Sequence, residues 1–89
     1  RESDEVIVSV PVAAGSALDG TTIGDEQVKT ETGMRIIAVR HTGESDRTGR
    51  RGGDWEVSPG PATTLEAGDV LIAKGTRTGA ERFGALAGD

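Results

Sequence analysis

The chain has 89 residues, enough for one domain with a core just large enough to fold alone. It holds no Cys, which excludes disulfides and thiolate metal sites. Its net charge of -5 argues against a general nucleic-acid binder, because phosphate contacts need a basic surface. No apolar run approaches membrane-spanning length and the first five residues are unlike a signal peptide, so a soluble, cytoplasmic protein is expected. The first residue is not Met, as in a piece cut from something longer.

Lys29 and Lys74 are the only lysines, and an acidic, lysine-poor surface suits high salt, where self-repulsion is screened. Residues 1–34 hold seven acids against Arg1 and Lys29, whereas 35–59 hold five Arg against four acids. The Arg-rich middle either favours an anion or is solvated loop charge.

In chain order, residues 5–12 are rich in β-branched side chains with Val6, Val8, Val10 and Val12 on one face, which predicts a strand. Pro11 near its end puts that strand at a sheet edge. Asp19-Gly20 signals a turn, and a short helix is expected from Asp25 to a stop at Gly33. Met34 to His41 is a second strand, with Ile36 and Ala38 facing one way and Ile37 and Val39 the other. Apolar side chains on both faces make it a central strand, or one buried by a second copy of the domain.

Thr42–Asp54 is polar, glycine-rich and without period, and reads as a long hairpin loop. Trp55 to Ser58 predicts a short third strand, and Pro59 and Pro61 then forbid a helix. Gly68-Asp69 makes a turn into a fourth, buried strand, Asp69 to Ala73, which Gly75 stops. Gly79 to Leu86 closes the chain as a weak helix with Ala80, Phe83 and Leu86 toward the sheet. The expected fold is α+β: a small two-layer domain in β-α-β-β-β-α order with a mostly antiparallel, four-stranded sheet that dimerises.

Catalytic chemistry finds little support. His41 is the sole His, so Cys–His pairs and multi-His metal sites are excluded. At a strand end beside a loop, it reads as an exposed histidine rather than a proton shuttle. Ser58 lacks the surroundings of a nucleophile elbow and reads as a turn hydroxyl. Asp19, Asp25, Glu26 and Glu31 lack the spacing of a calcium loop, and residues 49–53 lack that of a phosphate loop. Trp55 and Phe83, the only aromatics, read as core.

Three phrases in this order then resemble the TrkA C-terminal (RCK C-terminal) domain family. They are Val10-Pro11-Val12 with Gly15 to Ile23, Thr32 to Arg40, and Val57 to Thr76, together spanning nearly the whole chain. The resemblance implies that residues 1–89 form a regulatory domain, not an enzyme, belonging to a potassium or other cation transport system. It also implies a homodimer, attached to an RCK nucleotide-binding domain or a membrane cation transporter at the inner face of the cell membrane. No nucleic-acid partner and no direct membrane insertion are expected.

Some members bind cyclic di-AMP in the groove between two copies, and no other cofactor is implied. The matching ligand-binding positions are Ile23 and Ile36 for the bases, Lys29 and Arg35 for polar or phosphate contact, and Pro59 at the rim. The alternative role for Ile23 and Ile36 is dimer core, and for Lys29 and Arg35 solvated charge. The sequence departs from the family at Thr42–Asp54, longer than the usual hairpin, and at Gln27 and Arg35, where binders often carry Asp and Asn. A purely structural dimerisation module with no small ligand is the alternative function.

Overall fold

A computed structural model describes residues 4–25, 28, 32–41 and 54–88 of the chain. The elements are β1 (Val6–Pro11), β2 (Arg35–Arg40), β3 (Trp55–Val57), β4 (Val70–Gly75) and α1 (Arg77–Gly88). The strands form one sheet in the order β1-β4-β2-β3, with every neighbouring pair antiparallel. β1 is an edge, as Pro11 requires, and β4 and β2 are central.

Alternation decides the faces of β1 and β4. Leu71, Ala73 and Gly75 are buried, while Val70, Ile72 and Lys74, which alternate with them, are half-buried. Val6, Val8 and Val10 pair with Gly75, Ala73 and Leu71, so the valine face of β1 continues the buried face of β4. The fourth strand starts and stops later than expected. Asp69 is spent on the turn, where its Oδ2 accepts the Glu66 N–H at 3.0 Å.

β2 breaks the alternation. Its pairing with β4 shifts between Ile36 and Ala38, leaving Ile37 as the extra residue of a β-bulge. Ile36 pairs with Ala73 and Val39 with Leu71, so Ile36 and Val39 share the buried face. Ala38 pairs with Ile72 on the opposite face. This corrects the expected grouping of Ile36 with Ala38, because one inserted residue moves every later side chain to the other side.

α1 covers the buried face. Thr76 caps it: its Oγ1 accepts the Gly79 N–H at 3.0 Å. Gly79, Phe83 and Ala87 form the buried stripe, four residues apart, and Ala80 and Leu86 flank it. A Cβ on Gly79 would collide with the Thr32 backbone carbonyl, so glycine sets how closely the helix can approach. The C-terminal end is tied back to the start of the chain, since Ala13 N–H donates to Ala87 O at 2.7 Å.

Most of the helix expected between Asp25 and Gly33 lies outside the described residues. Val28 and Thr32 are helical and buried, and the Thr32 hydroxyl donates to Val28 O. Gly33 has φ +69°, the left-handed conformation expected of a helix stop. The Thr42–Asp54 loop also lies outside the described residues, save Asp54.

No described element covers the other face of the sheet. There Ile7, Trp55 and Val57 remain 63%, 46% and 74% exposed. Trp55 is therefore not core, contrary to expectation. It pairs with Arg40 on the uncovered side of a three-residue edge strand, whereas Phe83, on the buried stripe of α1, is fully enclosed in the core.

Candidate functional site

A groove of about 680 Å³ opens beside the bulge. Ile23, Gly24 and Asp25 form one wall, Arg35, Ile36 and Ile37 the floor, and Ser58, Pro59 and Pro61 the opposite rim. Three segments distant in sequence meet there because backbone bonds lace them together. Ile23 N–H donates to Thr63 O and Gly24 N–H to Pro61 O, each at 2.9 Å, and Thr22 bridges Thr64. Ser58 N–H donates to the carbonyl of the bulged Ile37 at 2.9 Å.

Local chemistry fixes these walls. Ser58 has φ 51°, an uncommon value for a non-glycine residue, and it turns the chain out of β3 into the Pro-Gly-Pro rim. A Cβ on Gly24 would lie 2.9 Å from Pro61 Cβ, so only glycine lets the two walls approach this closely. The floor is apolar and mostly buried at Ile36, while Ile23, Ile37 and Pro59 are half-buried. Arg35 is exposed and supplies a cation at the edge of the groove.

Of the positions expected to bind ligand, Ile23, Arg35, Ile36 and Pro59 all line this groove. Lys29 lies outside the described residues. Sequence reasoning missed Ile37, which alternation put on the opposite face and the bulge brings to the floor. It also missed Pro61, although the second proline of Pro59-Gly60-Pro61 was a signal for a stiff rim. Ser58 is a turn residue, as expected.

A second cluster lies at the far end of β2. His41, expected to be exposed, is bracketed by two carboxylates. Its Nε2 lies 3.0 Å from Glu56 Oε1 and its Nδ1 3.4 Å from Asp69 Oδ2, with the His41 side chain 26% exposed. The Thr63 hydroxyl donates to Glu56 Oε2 at 2.9 Å. Among the described residues no group of acids and histidine is arranged to hold a metal ion.

The TrkA-C domain family model matches residues 7–88. The chain belongs to the TrkA-C domain family. No curated protein sequence matches it. Among solved structures, the RCK C domain dimer of S. agalactiae BusR in complex with c-di-AMP is similar at 28% identity and TM-score 0.72, over 90% of this chain and 86% of that one. The RCK C domain of the potassium transport protein KtrA, in complex with c-di-AMP, is similar at 30% identity and TM-score 0.66, over 91% of this chain and 81% of that one. S. agalactiae BusR bound to its busAB-promoter DNA is similar at 28% identity and TM-score 0.72, over 90% of this chain. The chain spans 34% of the length of that DNA-bound BusR.

This last finding corrects the expectation of no nucleic-acid partner. Net charge bears on the surface of this domain alone, whereas a domain of this family also occurs within a longer chain that binds promoter DNA. The expected fold and family stand: a small α+β domain with a four-stranded antiparallel sheet, of the regulatory kind found in potassium transport proteins and their relatives. Among the described residues no helix is long and apolar enough to cross a membrane.

Proposed function

We propose that this chain is a ligand-sensing regulatory domain, and that its groove takes cyclic di-AMP between two copies. The observation that carries this reading is the meeting of Ile23, Arg35, Ile36 and Pro59 in one groove. The groove offers what such a ligand needs: an apolar floor for flat bases, prolines that hold the rim stiff, and a guanidinium for a phosphate. A two-fold ligand fits a two-fold axis, where each copy supplies one Arg35 and one apolar floor, with Lys29 as a further cation. Support comes from the BusR and KtrA domains, whose solved complexes hold c-di-AMP.

The role is sensing, not catalysis. Ligand between the copies shifts how they are set against each other, and the attached output part responds. That output is a cation transport protein acting at the cytoplasmic side of the membrane, or a DNA-binding regulator of the BusR kind. A second reading is a dimerisation module without a small ligand. The exposed Ile7, Trp55 and Val57 favour it, since they could hold two copies together unaided.

Calorimetric titration with cyclic di-AMP at high ionic strength, with mass followed by light scattering, separates the two. The sensing reading expects one ligand per two chains and a loss of affinity of about tenfold or more in Arg35→Ala. A folded dimer that gives no heat, or an Arg35→Ala variant that binds as well as the parent, overturns the site and leaves the dimerisation module.

A further inference from the structure

We infer that the outer edge of β1 is an interaction surface that takes the same edge of a second copy, antiparallel and centred on Val8. Edge strands are ordinarily blunted by shortness, charge, proline or a bulge. β3, at the opposite edge of the sheet, is three residues long with Glu56 at its centre. β1 has six residues in unbroken register, without a charge, and its proline stands at the last position. The rim of the groove leaves from β3, across the sheet from this edge, and the inference does not rest on the groove reading.

Two observations fix which backbone groups of β1 face outward. Val12 N–H donates to Asp69 O and Val12 O accepts the Gly68 N–H, each at 2.8 Å, so Val12 turns its polar groups toward the chain entering β4. By alternation Val6, Val8 and Val10 do the same, which leaves Ile7, Ser9 and Pro11 directed outward. Pro11 agrees, because a residue without an N–H sits in a ladder only with its nitrogen turned away from the neighbour. The edge therefore offers N–H and C=O from Ile7 and from Ser9, and C=O from Pro11. All three residues are exposed, and none of these outward groups is bonded to a described residue.

This pattern is self-complementary. With Val8 of the two copies opposite each other, Ile7 of each exchanges both bonds with Ser9 of the other, and Pro11 C=O meets Glu5 N–H. Every outward group then has a partner, and the donor that Pro11 lacks falls at the end of the ladder. Centring on Ser9 instead would set Ile7 C=O against the Pro11 nitrogen, which has no hydrogen. The Val8 register also pairs Val6 of each copy with Val10 of the other, so half-buried valines cover one another on the side that α1 packs.

Charge and layering favour the same arrangement. Asp4 and Glu5 are exposed together at one end of β1, and antiparallel pairing sends the two acidic ends apart where a parallel one would join them. α1 starts with Gly79 against Thr32 and ends with Ala87 bonded to Ala13, so it comes toward β1 at the Pro11 end. In antiparallel copies those approaches fall at opposite ends of the ladder.

Because the chain has no Cys, one introduced thiol reports its own contacts. Val8 of the two copies would form a non-hydrogen-bonded pair with Cα atoms about 4.5 Å apart, within reach of a disulfide. Oxidised without cyclic di-AMP, Val8→Cys should link two chains about tenfold faster than Val10→Cys, whose thiols would stand about 13 Å apart along the ladder. Ser9→Pro removes an outward donor and spares the bonds to β4, so it should halve the mass that light scattering gives for the parent. Equal rates for the two thiols, or a Ser9→Pro chain folded by circular dichroism with the mass of the parent, overturn the inference. If Ser9→Pro fails to fold, the thiol comparison decides. A parent that stays monomeric also overturns it, and leaves the edge to an extended segment of another protein.

Discussion

The two faces of the sheet come from the same strands yet carry opposite environments. On one, Ile36, Val39, Leu71 and Ala73 are buried beneath Phe83 and Ala87. On the other, Ile7, Trp55 and Val57 are exposed although they are as apolar as their neighbours across the sheet. Burial here is decided by where α1 lies, and the hydrophobicity of a strand residue says little about it. The comparison also explains the groove. At the bulge, Ile37 departs from the alternation that sorts its neighbours, and its carbonyl is left to receive the Ser58 N–H.

The largest effect that would sharpen this contrast is at Phe83, the largest fully buried side chain. Phe83→Ala should cost about 3–5 kcal/mol, since it removes the side chain that α1 sets on the sheet and leaves a cavity. Against a total of about 5–15 kcal/mol for a domain of this kind, that is a large share. Urea unfolding reads it as a fall in midpoint at constant slope. A cost below about 1 kcal/mol would mean that α1 does not hold the core in solution.

Gly79→Ala comes next and pits two effects against each other. In a solvent-exposed helix the change would gain about 1 kcal/mol of helix propensity. Here the new methyl meets the Thr32 backbone carbonyl, which no side-chain rotation relieves. Overpacking of this sort costs about 1–3 kcal/mol and should win, for a net loss of about 1 kcal/mol by the same unfolding measurement. A gain would show that α1 can stand off the sheet without penalty.

Much of this architecture is legible in the residues. The valines of β1 alternate cleanly, Pro11 marks the edge, and the apolar run of β4 between Gly68 and Gly75 declares a buried strand. Four of the five ligand positions drawn from the family resemblance also fall in one groove, with Lys29 outside the described residues. What could not be read were features that depend on register and layering. Nothing in Arg35-Ile36-Ile37-Ala38-Val39 announces an inserted residue, because every candidate is apolar. Trp55 looked like core because large aromatics usually are, and only the strand order reveals that no described element lies over its side of β3. His41 is the same kind of case: its two carboxylate partners lie 15 and 28 residues downstream, and only the sheet brings them together.

The smallest expected effect tests the uncovered face directly. Val57 is 74% exposed and pairs with Ala38, on the side away from α1. Val57→Thr keeps the β-branched shape that suits a strand and replaces a methyl with a hydroxyl, which water can satisfy. Stability should therefore change by no more than about 0.5 kcal/mol, and the mass by light scattering should stay as in the parent. The same exchange under α1 would be costly, because a buried hydroxyl without a partner loses its hydration. A loss of about 2 kcal/mol, or a shift of the chain toward monomer, would break the comparison: the face left bare in one chain would then be covered in solution, and the two sides of the sheet would differ only in what covers them.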